Sequence, residues 1–520
     1  MPETPTDEFA SASASAGRPP EGFAGPSGAT FFGHPRGLST LFFTEMWERF
    51  SYYGLRAILI LFMTASLAEG GLAFPVAKAA AIVGIYTAAV YLMALPGGWV
   101  ADRVIGQRRA VLVGGAIIAA GHFSMAIAGL PTFYLGLLLI VLGTGLLKPN
   151  ISAMVGELYE GQEGARRDAG FSIFYMGINL GAFIAPLIVG GLGQRVNWHA
   201  GFAAAGVGML LGLIQYVLGG KYLGEAGLHP DVSTEQRAAN MKKLVVGVIV
   251  FLLFIAALVY FQVSVQTVAR AGTAVIVGST TLYFLYLFIA GGLTREEKGR
   301  VGAIAVFFLA AAIFWSGFEQ ASTSLSLVAE RLTDMTVAGW DVPASWFQSV
   351  NPLFIISLAP VFAWLWVWLS RRNREPSSPR KFSFGLILLG LGFLVVMFGT
   401  MRVAAGSVAK MGPWWLILTY FLHTTGELTL SPVGLSTVTK LAPRRMVGQM
   451  MGIWFMAASL GNLLAGLMAA QIGARGAEAG AISPTDAVHI FTVVAAISIG
   501  VGLFLLLFGG VVKKMMHGVK

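Results

Sequence analysis

Seven charged side chains sit in stretches of this sequence that are otherwise apolar, and they are the groups best placed to do chemistry. Glu45, Glu48 and Arg49 fall at i, i+3 and i+4, which puts all three on one face of a helix. Tyr52, Tyr53 and Arg56 continue near that face, in the run Glu45-Met46-Trp47-Glu48-Arg49-Phe50-Ser51-Tyr52-Tyr53-Gly54. Lys148, Glu319 and Glu427 interrupt other apolar runs. A charge at the centre of a membrane helix costs on the order of 2.5–3.5 kcal/mol on insertion scales. Such groups either face a cavity and act there or close a static ion pair. Carboxylates beside a guanidinium can exchange partners as they take up protons. An interfacial anchor built on Trp47 and the tyrosines is the other reading, and three charges so close together make a poor anchor.

The elements that must carry these charges are long apolar helices. Of the 520 residues, 56% are hydrophobic and 12% charged, against about 25% charged in ordinary soluble domains. The 66 glycines would weaken soluble helices, but in a membrane they let helix backbones approach. Cysteine is absent, so disulfides and thiol chemistry are excluded. A spanning helix needs roughly 20 mainly apolar residues. Fourteen segments qualify, near 38–64, 79–101, 110–130, 132–156, 169–192, 200–219, 243–263, 272–293, 301–329, 346–370, 382–402, 413–435, 447–471 and 487–512.

The net charge of +10 suggests nucleic acid until each charge is placed. Of the 35 Lys and Arg, 23 fall in one set of alternate loops and the C-terminus, and two more in the N-terminal segment. The opposite loops hold seven, Arg475 among them, and Arg49, Arg56 and Lys148 lie inside helices. These are topology signals, which put both termini in the cytoplasm and demand an even number of spans. No nucleic-acid partner is expected. Residues 1–36, acidic and rich in Ala, Ser, Pro and Gly, are expected to form a disordered cytoplasmic tail rather than a signal peptide.

An internal repeat organises the spans. Phe174-Tyr175-Met176 through Leu180-Gly181 to Ala185 aligns without gaps on Trp454-Phe455-Met456 through Leu460-Gly461 to Ala465, at an offset of 280 residues. Thr144-Gly145 recurs as Thr425-Gly426, at 281. The duplication gives a six-helix bundle over 37–220 and another over 301–512. The 221–300 linker between them carries two extra helices, and 513–520 forms a second cytoplasmic tail. This is the plan of the major facilitator fold, an all-α integral membrane architecture with substrate at the midplane between halves. The loop Gly98-Trp99-Val100-Ala101-Asp102-Arg103 through Arg109 resembles a facilitator loop motif or is simply a basic cytoplasmic loop; the sequence supports both equally.

The motifs together carry a resemblance. Glu45-x-x-Glu48-Arg49 with its Phe-Ser-Tyr-Tyr-Gly tail is similar to the first-helix signature of the proton-dependent oligopeptide transporter family. Phe174-Tyr175-x-x-Ile178-Asn179-x-Gly181, Lys148-Pro149-Asn150, Phe314-Trp315 through Glu319-Gln320, and Gly426-Glu427-Leu428 with Ser431-Pro432 match further motifs of that family. The two extra helices resemble its bacterial members. The resemblance implies proton-coupled symport of di- and tripeptides into the cytoplasm across the cell membrane, with no cofactor or metal and a monomeric chain in the lipid bilayer. It implies that Lys148 and Arg56 hold the peptide carboxylate and Glu427 the ammonium. Tyr52, Tyr53, Tyr91, Asn179, Asn351 and Trp454 would complete the pocket. Glu45, Glu48, Arg49 and Glu319 would couple protons, with Glu319 alternating between a proton and Arg56. The family's animal members also use a second-helix histidine. None occurs between 79 and 101, so here carboxylates must suffice. His122 and His423 read as ordinary polar packing.

Other classes lack their residues. There is no Gly-x-Ser-x-Gly or His-Glu-x-x-His for an enzyme, and no Gly-x-x-x-x-Gly-Lys-Ser/Thr loop for an ATP-driven pump. Mixed-sign central charges in a repeated plan favour alternating access over a channel. A transporter of another small solute, such as nitrate, on the same fold is the alternative. The retained first-helix motif and the Lys148/Glu427 pair favour peptide.

Overall fold

The computed structural model describes residues 30–160, 164–228, 232–337, 339–473 and 480–519, apart from the side chains of 165 and 435. Fourteen helices of 20 residues or more dominate it. They are α1 (Gly37–Thr64), α2 (Val76–Val100), α3 (Gln107–Ala126), α4 (Leu130–Glu157), α5 (Ala165–Ala185), α6 (Trp198–Gly219), α7 (Thr234–Tyr260), α8 (Val265–Ala290), α9 (Arg295–Phe318), α10 (Val350–Arg371), α11 (Ser378–Ala404), α12 (Trp414–Leu441), α13 (Val447–Ala469) and α14 (Pro484–Met515). Twelve are long and apolar enough to cross a membrane by composition alone. The other two are α1, which carries four charges, and α12, where Glu427 stands among threonines and serines.

Polar residues set the helix ends. Ser233 with Gln236, and Thr294 with Glu297, form capping boxes that satisfy the first N–H groups of α7 and α9. The first of these starts α7 well before the apolar run that signals it in the sequence. The N-terminal segment also departs from expectation. Residues 1–29 lie outside the described part, as does Arg475. Residues 30–35, however, form a small hairpin in which Thr30–Phe31 pairs with His34–Pro35. It is pinned by a 2.8 Å hydrogen bond between the Tyr159 hydroxyl and His34 Nδ1, and by Phe31 against Phe42. At the other terminus α14 runs to Met515, into the expected tail.

The packing repeats. In the first half α1 packs on α5 and α6, α4 on α2 and α3, and α3 on α6. In the second half α9 packs on α13 and α14, α12 on α10 and α11, and α11 on α14. The halves meet through α2 with α13 and α5 with α10, and α8 leans on α2 and α13. Small residues permit the crossings: a methyl on Gly84 of α2 would sit 3.1 Å from the Gly466 Cα of α13.

Close contacts test the register of the repeat. Gly181 abuts Met46 and Arg49 of α1, and Gly461 abuts Trp315 and Ser316 of α9, so the 280-residue offset is structural. The Thr-Gly match is not. Gly426 faces Gly385 O and Leu389 N of α11, and the residue making the same contact on α3, with Gly114 O and Ile118 N, is Gly143. The true offset there is 283 (143 to 426), two residues from the one the motif suggests. Lys148 and Glu427 therefore do not occupy equivalent positions. One stands five residues after its tight glycine and the other stands one. At 100° per residue these positions are only about 40° apart around the helix, but about 6 Å apart along it. Both point the same way, with Lys148 nearer the end that holds the chain termini.

Candidate functional site

Helix α1 presents Glu45, Glu48 and Arg49 to the interior of the first half, where all three are buried. Arg49 Nε lies 3.2 Å from Glu45 Oε1 and also donates to Glu48 Oε2. Two carboxylates thus share one guanidinium. Glu45 Oε2, Glu48 Oε1 and Arg49 Nη2 have no hydrogen-bond partner among the described residues. Buried polar atoms are nearly always paired, so this cluster retains capacity to take a proton or exchange partners. Tyr52 lies against Arg49, 5.0 Å from ring centroid to guanidinium, and its other neighbours are the rings of Tyr53 and Tyr86.

Two turns along α1, Arg56 crosses to the second half. Its Nη2 donates to Glu319 Oε2, and both side chains are buried. Glu319 is where α9 breaks: a 3-10 turn (Glu319–Ser322) and the non-helical Thr323 separate it from a short helix, Ser324–Leu332. Part of the polar run Gln320-Ala321-Ser322-Thr323-Ser324 is satisfied within the run, while Gln320 Nε2 and Thr323 Oγ1 are buried without a partner among the described residues. Ser322 Oγ donates to Glu319 O at 3.1 Å, and Ser324 Oγ to Gln320 Oε1 at 2.5 Å. An interrupted helix at the midplane is how transporter folds expose polar groups to a central cavity.

Flanking that pair are a cation from the first half and an anion from the second. Lys148 Nζ sits 4.4 Å above the Tyr91 ring, within electrostatic reach of Arg49, Glu48, Glu45 and Glu319. Glu427 lies within reach of Glu319 and Arg56. Its Oε2 accepts from Asn351 Nδ2 at 3.0 Å, and the same amide nitrogen donates to Thr424 Oγ1 at 2.9 Å. Eight of the expected residues (Glu45, Glu48, Arg49, Tyr52, Tyr53, Arg56, Lys148, Tyr91) come from α1, α2 and α4. Glu319, Asn351 and Glu427 face them from the turn after α9 and from α10 and α12.

Two expected residues make their described contacts within their own half. Asn179 donates its amide to Tyr175 O of its own helix at 3.0 Å. Trp454 packs over Gly434 and beside Phe382, within the second half. Three residues at the site escaped the sequence reading: Tyr86, Tyr420 and Thr424. The Tyr86 and Tyr420 hydroxyls are buried without a partner among the described residues. A polar atom facing inward from an apolar helix is their only signal, and neither a charge nor a recurrent spacing marks it.

The cavity has one closed end. Where α1 finishes, Ser349 Oγ donates to Phe183 O at 2.7 Å and Ser345 N to Gln194 Oε1 at 2.9 Å. Arg195 Nη2 reaches Asp341 O at 2.6 Å, with its guanidinium 4.1 Å from the Trp340 ring. All of these bonds join one half to the other. Towards the opposite end Tyr175 of α5 is 51% exposed, and of α10 only Pro352 is buried.

Comparison with known proteins agrees with this architecture. A family model described as PTR2, the POT family, matches residues 108–482. The peptide transporter YePEPT of Yersinia enterocolitica is 45% identical over 463 residues, 86% of this chain and 90% of that protein. A di-/tripeptide transporter of Lactococcus lactis is 38% identical, covering 94% of this chain and 98% of its own. Among solved structures, a peptide transporter POT in complex with sulfate superimposes with a TM-score of 0.86 at 42% identity, over 94% of this chain and 97% of that one.

Proposed function

The chain belongs to the POT family of membrane transporters, and from that premise we propose that it imports di- and tripeptides by proton symport and alternating access. The observation that carries this reading is the convergence of opposite charges from the two halves on one site, with hydrogen bonds joining the halves at one end of it. A peptide of any sequence offers an ammonium and a carboxylate. Lys148 and Glu427, on opposite walls and about 6 Å apart in depth, suit those two ends. Charge-assisted hydrogen bonds in such a site are strong. Asn351 spends its N–H₂ on Glu427 and Thr424, so its Oδ1 is the atom left for the cavity, a second acceptor for the ammonium.

Coupling follows from the charge balance. Glu45, Glu48, Glu319 and Glu427 face Arg49, Arg56 and Lys148, so full ionisation leaves one carboxylate in excess. A zwitterionic peptide adds no net charge and does not cancel that excess. One proton does, and a neutral cluster reorients across the bilayer at lower cost than a charged one. The Arg56–Glu319 pair ties the halves together at the midplane; protonation of Glu319 breaks the charge pair and frees Arg56 for the peptide carboxylate. The end opposite those inter-half hydrogen bonds is the cytoplasmic one, with both termini, on the reading of the loop charges. The protein acts as a monomer in the cell membrane.

The test is dialanine uptake into proteoliposomes under an inward proton gradient with negative internal potential. Accumulation above the outside concentration that collapses with a protonophore is expected. Equilibration without accumulation would remove the proton coupling. No dialanine movement by monodisperse protein would remove peptide as the substrate.

A further inference from the structure

The amide of Asn351 is useful to a peptide ammonium only in one of its two orientations. With Nδ2 turned to Glu427, Oδ1 faces the cavity and accepts. With the amide flipped, a donor faces the ammonium and repels it. Glu427 alone does not fix the choice. Its carboxylate accepts from Nδ2, but once it takes up a proton it can donate to Oδ1 and stabilise the flipped form.

Thr424 removes that freedom. It is fully buried in α12, one turn before Glu427. Its hydroxyl proton is committed to the Tyr420 carbonyl of the preceding turn, at 2.7 Å. Threonine in a helix makes this bond to the i−4 carbonyl readily. What Thr424 Oγ1 then offers to Asn351 is a lone pair, and it accepts from Nδ2 at 2.9 Å. An acceptor whose own proton is occupied elsewhere holds the amide in one orientation whatever the state of Glu427. We infer that Thr424 is a positioning residue for the peptide amino terminus: it locks the Asn351 amide so that Oδ1 is presented to the ammonium in every protonation state of Glu427. This inference rests on the reading of Glu427 and Asn351 as the ammonium site.

The experiment measures the affinity of purified protein for two probes. One is dialanine. The other is propionyl-alanine, which is dialanine with its ammonium replaced by hydrogen. Thr424→Val keeps the shape of the side chain and removes the acceptor. Losing one orienting hydrogen bond, worth about 1 kcal/mol, weakens dialanine binding about fivefold. Propionyl-alanine binding and the maximal exchange rate at saturating dialanine stay as they are, and Thr424→Ser restores dialanine affinity. Equal weakening of both probes by Thr424→Val, or no change in either, overturns the inference, because the first is a general structural defect and the second shows no role. Glu427→Gln is run beside it. If it collapses the preference for dialanine while Thr424→Val does not, the ammonium site stands and Thr424 is wrong. If the preference survives Glu427→Gln and Thr424→Val alike, the ammonium site itself is misplaced and both readings fall.

Discussion

The molecule buries its charges in two ways. The Glu45/Glu48/Arg49 cluster is confined to one helix, whose own 3.6-residue turn brings the groups together, and two carboxylates crowd one guanidinium. The Arg56–Glu319 pair is drawn from helices 263 residues apart, with one member on each half of the fold. The first arrangement persists whatever the halves do. The second exists only while they are close at the midplane. A self-contained cluster with spare acceptors suits storing a proton, and a pair strung between moving bodies suits reading it. The contrast gives the two arginines of α1, two turns apart, different partners: carboxylates of their own helix for Arg49 and one from the other half for Arg56.

That comparison breaks most easily at the inter-half pair. Removing one member of a buried ion pair leaves an uncompensated charge and costs about 3–5 kcal/mol. Glu319→Ala and Arg56→Ala are each expected to lower the thermal midpoint sharply, and the double variant to recover much of that loss. A double variant as unstable as the sum of the singles would show that the two do not act as a pair. In α1 the expected loss is smaller, because Arg49 keeps a carboxylate when either glutamate is replaced. Glu45→Gln or Glu48→Gln should cost about 1 kcal/mol or less in stability, yet remove the response of dialanine uptake to a proton gradient. Stability losses as large as that of Glu319→Ala would erase the distinction between the two regions. Smaller again is the closure at the far end of the cavity. Arg195 contributes one hydrogen bond and one ring contact to it, together about 1–2 kcal/mol. Arg195→Gln is expected to shift the population towards opening at that end by roughly five- to thirtyfold, read as a longer distance between spin labels on the α5 and α10 ends. An unchanged distance distribution would assign the closure to the Ser349–Phe183 and Ser345–Gln194 bonds instead.

What the sequence shows of this design depends on how local each feature is. The i, i+3, i+4 spacing of Glu45, Glu48 and Arg49 needs only a helix, and the apolar runs give all fourteen helices. The 280-residue repeat survives because glycines at 181 and 461 must both admit a crossing helix. The Thr-Gly match fails by two residues because Gly145 answers a different neighbour, Met93 of α2, from the one Gly426 meets on α11. The break at Glu319 is invisible to hydropathy, since its serines are tolerated within a helix and reveal their role only by the oxygens they donate to. Thr424 is missed for the same reason. A threonine in an apolar helix reads as packing until the direction of its hydroxyl proton is known.

The smallest expected effect lies outside the membrane, where the same carboxylate chemistry is solvated. Glu69, in the loop between α1 and α2, accepts from Ser66 N at 2.9 Å and Ser66 Oγ at 2.8 Å. The backbone hydrogen bond first, and then the hydroxyl, hold its carboxyl below the ordinary carboxylate range. A depressed pKa means that the ionised form is favoured by folding. Its contribution is therefore present above the ordinary carboxylate pKa and lost as the pH falls through the lowered value. Because Glu69 is largely solvated, this order is local. Hydrogen exchange of the Ser66 amide, corrected for its intrinsic pH dependence, should be protected at neutral pH and lose protection only below the ordinary carboxylate range, while helix α1 stays protected throughout. Replacement by Gln should make that protection independent of pH. Protection of Ser66 that fades already between pH 6 and 7 would mean that a group other than the Glu69 carboxylate controls this loop, and would remove the contrast between the solvated carboxylate and the buried ones.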